Sequence, residues 1–147
     1  MHRIETTQFG PLEYHASDVY RFPLGLPGFE DRQTFVLVER AEFSPIVFLQ
    51  STEEGSLRFP CAPIHLIDPD FLPVPSEPEA AILGTGSPWA VLGILTFTEH
   101  DSPTVNLLAP VVLNPQTHTG IQSIQPESPY TAAHRLHGPA VEEAACS

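Results

Sequence analysis

Seven histidines, two cysteines and eighteen carboxylates are the groups through which this chain could bind metal or move protons. His134 and His137 stand with two residues between them, a spacing able to chelate on a helix, but no nearby carboxylate or cysteine pair completes a zinc set. His65, His100 and His118 lack the His-x-His pair and following Glu that a metal-binding barrel strand would carry. Asp68-Pro69-Asp70 opens like a calcium loop, yet the glycine and the closing Glu are missing, so it reads as a turn. Ser51, Ser56 and Ser87 have no nucleophile-elbow context, and Gly84-x-Gly86 lacks the strand-to-helix setting of a phosphate loop. No catalytic set survives, and the sequence predicts a protein without enzyme activity, metal or cofactor.

Charge points the same way. The net charge is −12, all six Lys and Arg positions are Arg, and there is no Lys. Phosphates would be repelled, which excludes direct nucleic-acid binding, whereas a basic protein partner would be drawn in faster at low salt. Acidic loops such as Glu53-Glu54 and Asp68 to Asp70 also keep a small domain soluble. Cys61 lies in an apolar setting and Cys146 in a tail of small residues, so no disulfide framework is expected. There is no basic leader followed by an apolar stretch, and no apolar run near the roughly 18 residues of a membrane span. The expectation is a cytoplasmic chain with no membrane association.

These side chains must be positioned by short elements, because seventeen prolines in 147 residues exclude long helices. Residues 4–7 and 12–14 read as two strands around Phe9-Gly10-Pro11. An extended piece over 19–24 carries Pro23, which points to a sheet edge or a strand end. The loop Gly25-Leu26-Pro27-Gly28-Phe29-Glu30 is expected to anchor Leu26 and Phe29 in the core. Strands are predicted over 34–39, 46–51 and 57–62, with Glu53-Glu54-Gly55 as a hairpin link whose glycine can take positive φ. A central strand over 89–98 should pair with 105–113 through a five-residue connection, and a last strand follows at 121–124. Ser76 with Glu79 and Gly84 forms the one helical signal, a capping box and a terminating glycine. The whole predicts an all-β, mainly antiparallel, small β-barrel-like single domain with one short helix, over 1–136, and a flexible tail over 137–147.

Thr104 to Pro115 is the stretch most suggestive of binding. With a period of two, Val105, Leu107, Ala109, Val111 and Leu113 share a core face, and Leu108 and Val112 lie among polar residues on the other. That mixed face is a candidate partner surface. A strand buried on both sides is the alternative.

Ile4-Glu5-Thr6 with Phe9-Gly10, Phe22 with Gly25 to Glu30, Leu49-Gln50-Ser51, Thr104 to Asn114, Gln122, and Tyr130 with His134 and Leu136 together resemble the flagellar assembly factor FliW family over roughly Arg3 to Leu136. The resemblance implies a cytoplasmic, non-enzymatic β-barrel that binds flagellin, as a chaperone-like partner, and the translational repressor CsrA, in mutual exclusion. Capture of CsrA, at a site away from its RNA-contacting surface, would release flagellin mRNA for translation. Matching positions give Gln50, Ser51, Asn106, Leu107, Ala109 and Pro110 as protein-binding candidates, and strand alternation adds Leu108 and Val112. The segment Phe71 to Ser87 departs from the family pattern, being shorter and richer in proline, and Ala133 stands where a basic residue often precedes the His. The rival reading is a small-ligand-binding barrel with an enzymatic remnant, which would need a deep cavity lined by convergent polar groups.

Overall fold

Alternation along the middle strands sorts the apolar side chains into two sets on opposite faces of one sheet, and the sheet closes on itself. The structure, a computed structural model, describes residues 1–84, 88–97, 102–125 and 131–135. Within them β1 (His2–Thr6) and β2 (Gly10–Tyr14) form a separate antiparallel hairpin. The main sheet contains β3 (Val19–Arg21), β4 (Thr34–Glu39), β5 (Val47–Ser51), β6 (Arg58–Pro63), β7 (Ala90–Thr96), β8 (Thr104–Val105), β9 (Val111–Asn114), β10 (Thr119–Gln122) and β11 (His134–Arg135). Strand β7 pairs with β6 on one side and with both β8 and β9 on the other. Because β9 pairs with β10, and β10 with β3, the strands β3, β4, β5, β6, β7, β9 and β10 make a closed seven-stranded barrel. All of these pairings are antiparallel except β10 with β3, where Thr119 lies opposite Arg21. Closure removes the open sheet edges that would otherwise pair with other chains.

The expected all-β barrel with one short helix is therefore the observed class. Inside it Phe22, Phe35, Leu49, Cys61, Leu92, Val111 and Leu113 pack as one cluster. Outside it a second cluster includes Val36, Val38, Phe48, Ala62, Leu95, Val105 and Leu107. Phe9, Leu12 and Tyr14 of the N-terminal hairpin cover that outer set, with Phe9 edge-on to Phe48 at 5.1 Å. The helix α1 (Glu77–Leu83) caps a third patch, where Leu83 meets Val112 and Ile121. Its capping box forms as the sequence predicts: Ser76 Oγ accepts from Glu79 N at 3.3 Å, and Ser76 N donates to Glu79 Oε1 at 2.8 Å. Gly84 closes the helix with φ 76°.

Three local expectations need correction. Leu26 is buried, but Phe29 is 38% exposed and packs edge-on against Phe59 at 5.3 Å rather than entering the core. The last barrel strand begins at Thr119, two residues before the predicted start. Gly55 is not in a positive-φ conformation. It is there because a Cβ would fall 1.8 Å from the carbonyl oxygen of Glu5, so only glycine lets the β1 backbone lie against the β5–β6 turn. Thr7 N donates to Gly55 O at 3.1 Å across the same contact. The predicted connection over 99–103 falls mostly on residues 98–101, outside the described residues, as does the tail over 137–147.

Gly55→Ala should push the hairpin off the barrel and cost about 1–3 kcal/mol of stability, since the obstacle is backbone and not a movable side chain. Urea denaturation checks this, and an unchanged midpoint would contradict it.

Candidate functional site

The candidate residues fall into two separate clusters. Gln50 and Ser51 end strand β5, and both are fully buried. Gln50 Nε2 donates to the carbonyls of Ser51, Gly55 and Leu57 at 3.0, 3.2 and 3.1 Å. Ser51 Oγ accepts from Glu53 N and Glu54 N, each at 3.0 Å. Both side chains build the turn between β5 and β6 and neither reaches the surface, so the expectation that they face a partner is corrected: Gln50 Nε2 and Ser51 Oγ are spent on backbone groups of that turn, while Gln50 Oε1 is buried without a hydrogen-bond partner.

The second cluster is the link between β8 and β9. Leu95 opposes Val105 and Leu92 opposes Val111, so three residues of β7 face a stretch of six, and the link holds three extra residues. An odd surplus reverses the phase of the strand. Val105 and Leu107 accordingly join the outer core, whereas Val111 and Leu113 enter the barrel. The single core face expected over 105–113 is thus two faces on opposite sides of the sheet, with every one of its members buried. Val112 then turns outward, but α1 covers it, so it is fully buried and the strand beyond the link is enclosed on both sides. Val112 is corrected from partner surface to core.

Asn106 sets the shape of the link. Its N–H donates to Ile94 O at 2.9 Å, continuing the ladder for one more residue. Its Oδ1 then accepts from Leu108 N at 3.1 Å and Ala109 N at 3.0 Å, an Asx turn that lifts the chain off β7. Pro110 has no N–H to satisfy, and its carbonyl accepts from Ser123 N at 2.9 Å. Gln122 Nε2 donates to Ala109 O at 3.1 Å, and Gln125 N donates to Leu108 O at 2.8 Å. Leu107, Ala109 and Pro110 are buried, so of the eight candidates only Asn106 and Leu108 reach the surface, both half-buried.

Sequence reasoning missed the residues that hold this loop from behind. Ser123 and Gln125 are buried polar side chains, and Gln125 Nε2 donates to Ser123 Oγ at 2.8 Å. Ser123 Oγ in turn donates to Glu79 Oε1 at 2.8 Å. A polar residue just beyond a short strand gives no sign that it is buried until its partners are placed, and of these three residues the sequence marks only Glu79, as part of a helix cap.

Other groups are chemically quiet. His65 Nε2 lies 3.1 Å from Phe71 O, and His118 stacks on Tyr20 with ring centres 4.7 Å apart. Burial pushes the Cys61 thiol up, so it stays protonated inside the barrel. Burial also raises the Tyr20 phenol. Asp68 Oδ1 accepts from Asp70 N at 3.0 Å, the turn expected there. Among the described residues no three His, Cys, Asp or Glu side chains gather as a metal would require. Ser87, His100 and His137 lie outside the described residues. Buried apolar side chains pack together inside the barrel, and a cleft of about 440 Å3 beside Tyr14, Tyr20, Leu37 and His118 is an open groove.

Fold and site together define a small closed β-barrel with a packed interior and a side-chain-capped bulge as its distinctive surface loop. The FliW protein family model matches residues 3–136. Flagellar assembly factor FliW of Desulfitobacterium hafniense (strain DSM 10664 / DCB-2) is 38% identical over 137 residues, covering 91% of this chain and 90% of that protein. The same factor of Natranaerobius thermophilus is 34% identical over 143 residues, covering 91% of each chain. A crystal structure of the flagellar assembly factor FliW superposes with a TM-score of 0.82 at 31% identity, covering 93% of this chain and 98% of that one. The chain belongs to the FliW family of flagellar assembly factors.

Asn106→Ala should leave the Leu108 and Ala109 amides without their acceptor and lower stability by about 1–3 kcal/mol. Thermal unfolding measures it; a wild-type melting temperature would show that the Asx turn is not what holds the bulge.

Proposed function

We propose that this chain serves flagellar assembly in the cytoplasm by holding polypeptides and converting nothing: it binds flagellin as a chaperone-like partner and, when flagellin is absent, sequesters the translational repressor CsrA. The observation that carries this reading is the family match, which spans the whole barrel including the bulged link. Charge supports it independently. A repressor that binds RNA must present basic surface, and a chain of net charge −12 without Lys attracts such a surface while repelling RNA itself. The half-buried Leu108 on the acidic exterior offers an apolar contact of the kind that amphipathic segments seek. Two proteins competing for one scaffold would couple export of flagellin to release of its message.

Titration calorimetry against purified CsrA at low and high salt tests the proposal. Binding that weakens steeply as salt rises, and that purified flagellin displaces, is the expected result. Heat from neither protein would overturn it. Leu108→Asp should remain folded and weaken at least one of the two complexes, whereas Leu107→Asp should unfold the protein by burying an unpaired charge. Circular dichroism separates the two outcomes, and equal loss of structure in both would remove Leu108 from the interface.

A further inference from the structure

Three large apolar side chains on segments adjoining the bulged link have most of their surface in water: Leu72 is 81% exposed, Val74 75% and Ile124 61%. Leu72 and Val74 sit on Phe71-Leu72-Pro73-Val74-Pro75, a strap with neither helix nor strand between the barrel and α1. An exposed loop of this length would ordinarily be loose, yet this one is tied down. Phe71 is buried in the outer core. Gln125 Oε1 accepts from Val74 N at 2.8 Å, and Gln125 Nε2 donates to Val74 O at 3.2 Å, so a buried side-chain amide pairs with the strap as a neighbouring strand would. The same Gln125 bonds Ser123, which bonds the Glu79 of the helix cap. Two prolines fix φ on the strap. A buried polar network thus holds in place side chains that contribute little burial to the fold, and part of their ordering cost is met before any partner arrives.

Resting on the function proposed above, we infer that the strap, with Ile124 and Leu108 beside it, is the docking surface for a basic amphipathic segment of the polypeptide partner. The hydrogen bonds put the four on adjoining segments: Ile124 lies between the two residues that bond the strap network, and Leu108 O accepts from Gln125 N. The occupant follows from charge. Asp68 and Asp70 precede the strap, Glu77 follows it, and no Arg or Lys occurs between Arg58 and Arg135. A second copy of this chain, itself at −12, is repelled from such a rim, as is any acidic segment. A segment with leucines on one helical face and Lys or Arg along its flanks satisfies both the apolar centre and the rim.

The test uses the full chain and three synthetic peptides of equal length: a basic amphipathic helix, a scrambled version with the same residues, and the first with Glu replacing its Lys and Arg. The amphipathic basic peptide should bind in calorimetry, the scrambled one more weakly, and the acidic one not at all. Leu72→Ser with Val74→Ser should weaken the first titration by about 10- to 100-fold, the loss expected from withdrawing large apolar side chains from a contact, and leave the melting temperature unchanged. Equal binding of the basic and scrambled peptides, or no change in the double variant, would overturn the strap as the site, as would a wild-type dimer in sedimentation that the double variant abolishes. Wild type that binds CsrA or flagellin with no effect of the double variant sinks only the strap; wild type that binds neither sinks the reading on which it rests.

Discussion

The structure depends on a slip of three residues between the two strands that share one side of β7. Strand β8 and strand β9 are consecutive in the chain and pair with the same neighbour, but in registers that differ by the surplus residues of the link. Without the slip, Val111 and Leu113 would stay in phase with Val105 and face outward, and the barrel would lose two of the side chains that fill it. The slip also sends Val112 outward beneath α1, which gives the helix its contact with the barrel. Asn106 makes the slip tolerable, because its carboxamide oxygen takes the amides that leave the ladder.

From that bulge the order extends outward in steps. The carbonyls of Leu108 and Pro110 accept from Gln125 and Ser123 and so fix the segment after β10. Ser123 and Gln125 then bond the helix cap and the proline strap. Loop, helix and strap are therefore one connected layer on the acidic exterior of the barrel, joined by buried polar groups that each have a partner within it. The opposite layer, formed by the N-terminal hairpin, is held by apolar and aromatic contacts around Phe9 and Phe48. Among the described residues no three His, Cys, Asp or Glu side chains gather in either layer, and the Cys61 thiol inside the barrel is held protonated. A rigid surface offered to other polypeptides is the role proposed for such an arrangement.

Much of this was legible in the chain because it is encoded locally. Strand β4 falls on Thr34–Glu39, as its run of Val and Phe suggests, and the Ser76, Glu79 and Gly84 pattern delimits α1 at both ends. The binding candidates were less legible, since Gln50 and Ser51 are polar yet serve a buried turn, and a matching residue does not announce whether it serves fold or partner. Phase over Thr104 to Pro115 was the hardest part. An unbroken apolar alternation is the same string whether it lies on one face or is split between two, and Pro110 signals a disturbance without giving its size. Gly55 shows the same limit: its requirement comes from Glu5, fifty positions away, and not from its own turn.

The claim at the centre is that this barrel works by engaging a polypeptide on the layer built around the bulge. Amide chemical-shift mapping of the labelled protein on addition of purified CsrA addresses it most directly. Shifts concentrated at Leu72, Val74, Leu108, Ile124 and the adjoining amides are the predicted outcome. Shifts confined to the groove beside Tyr20 and His118 or to the N-terminal hairpin, with the bulge layer unmoved, would contradict the account.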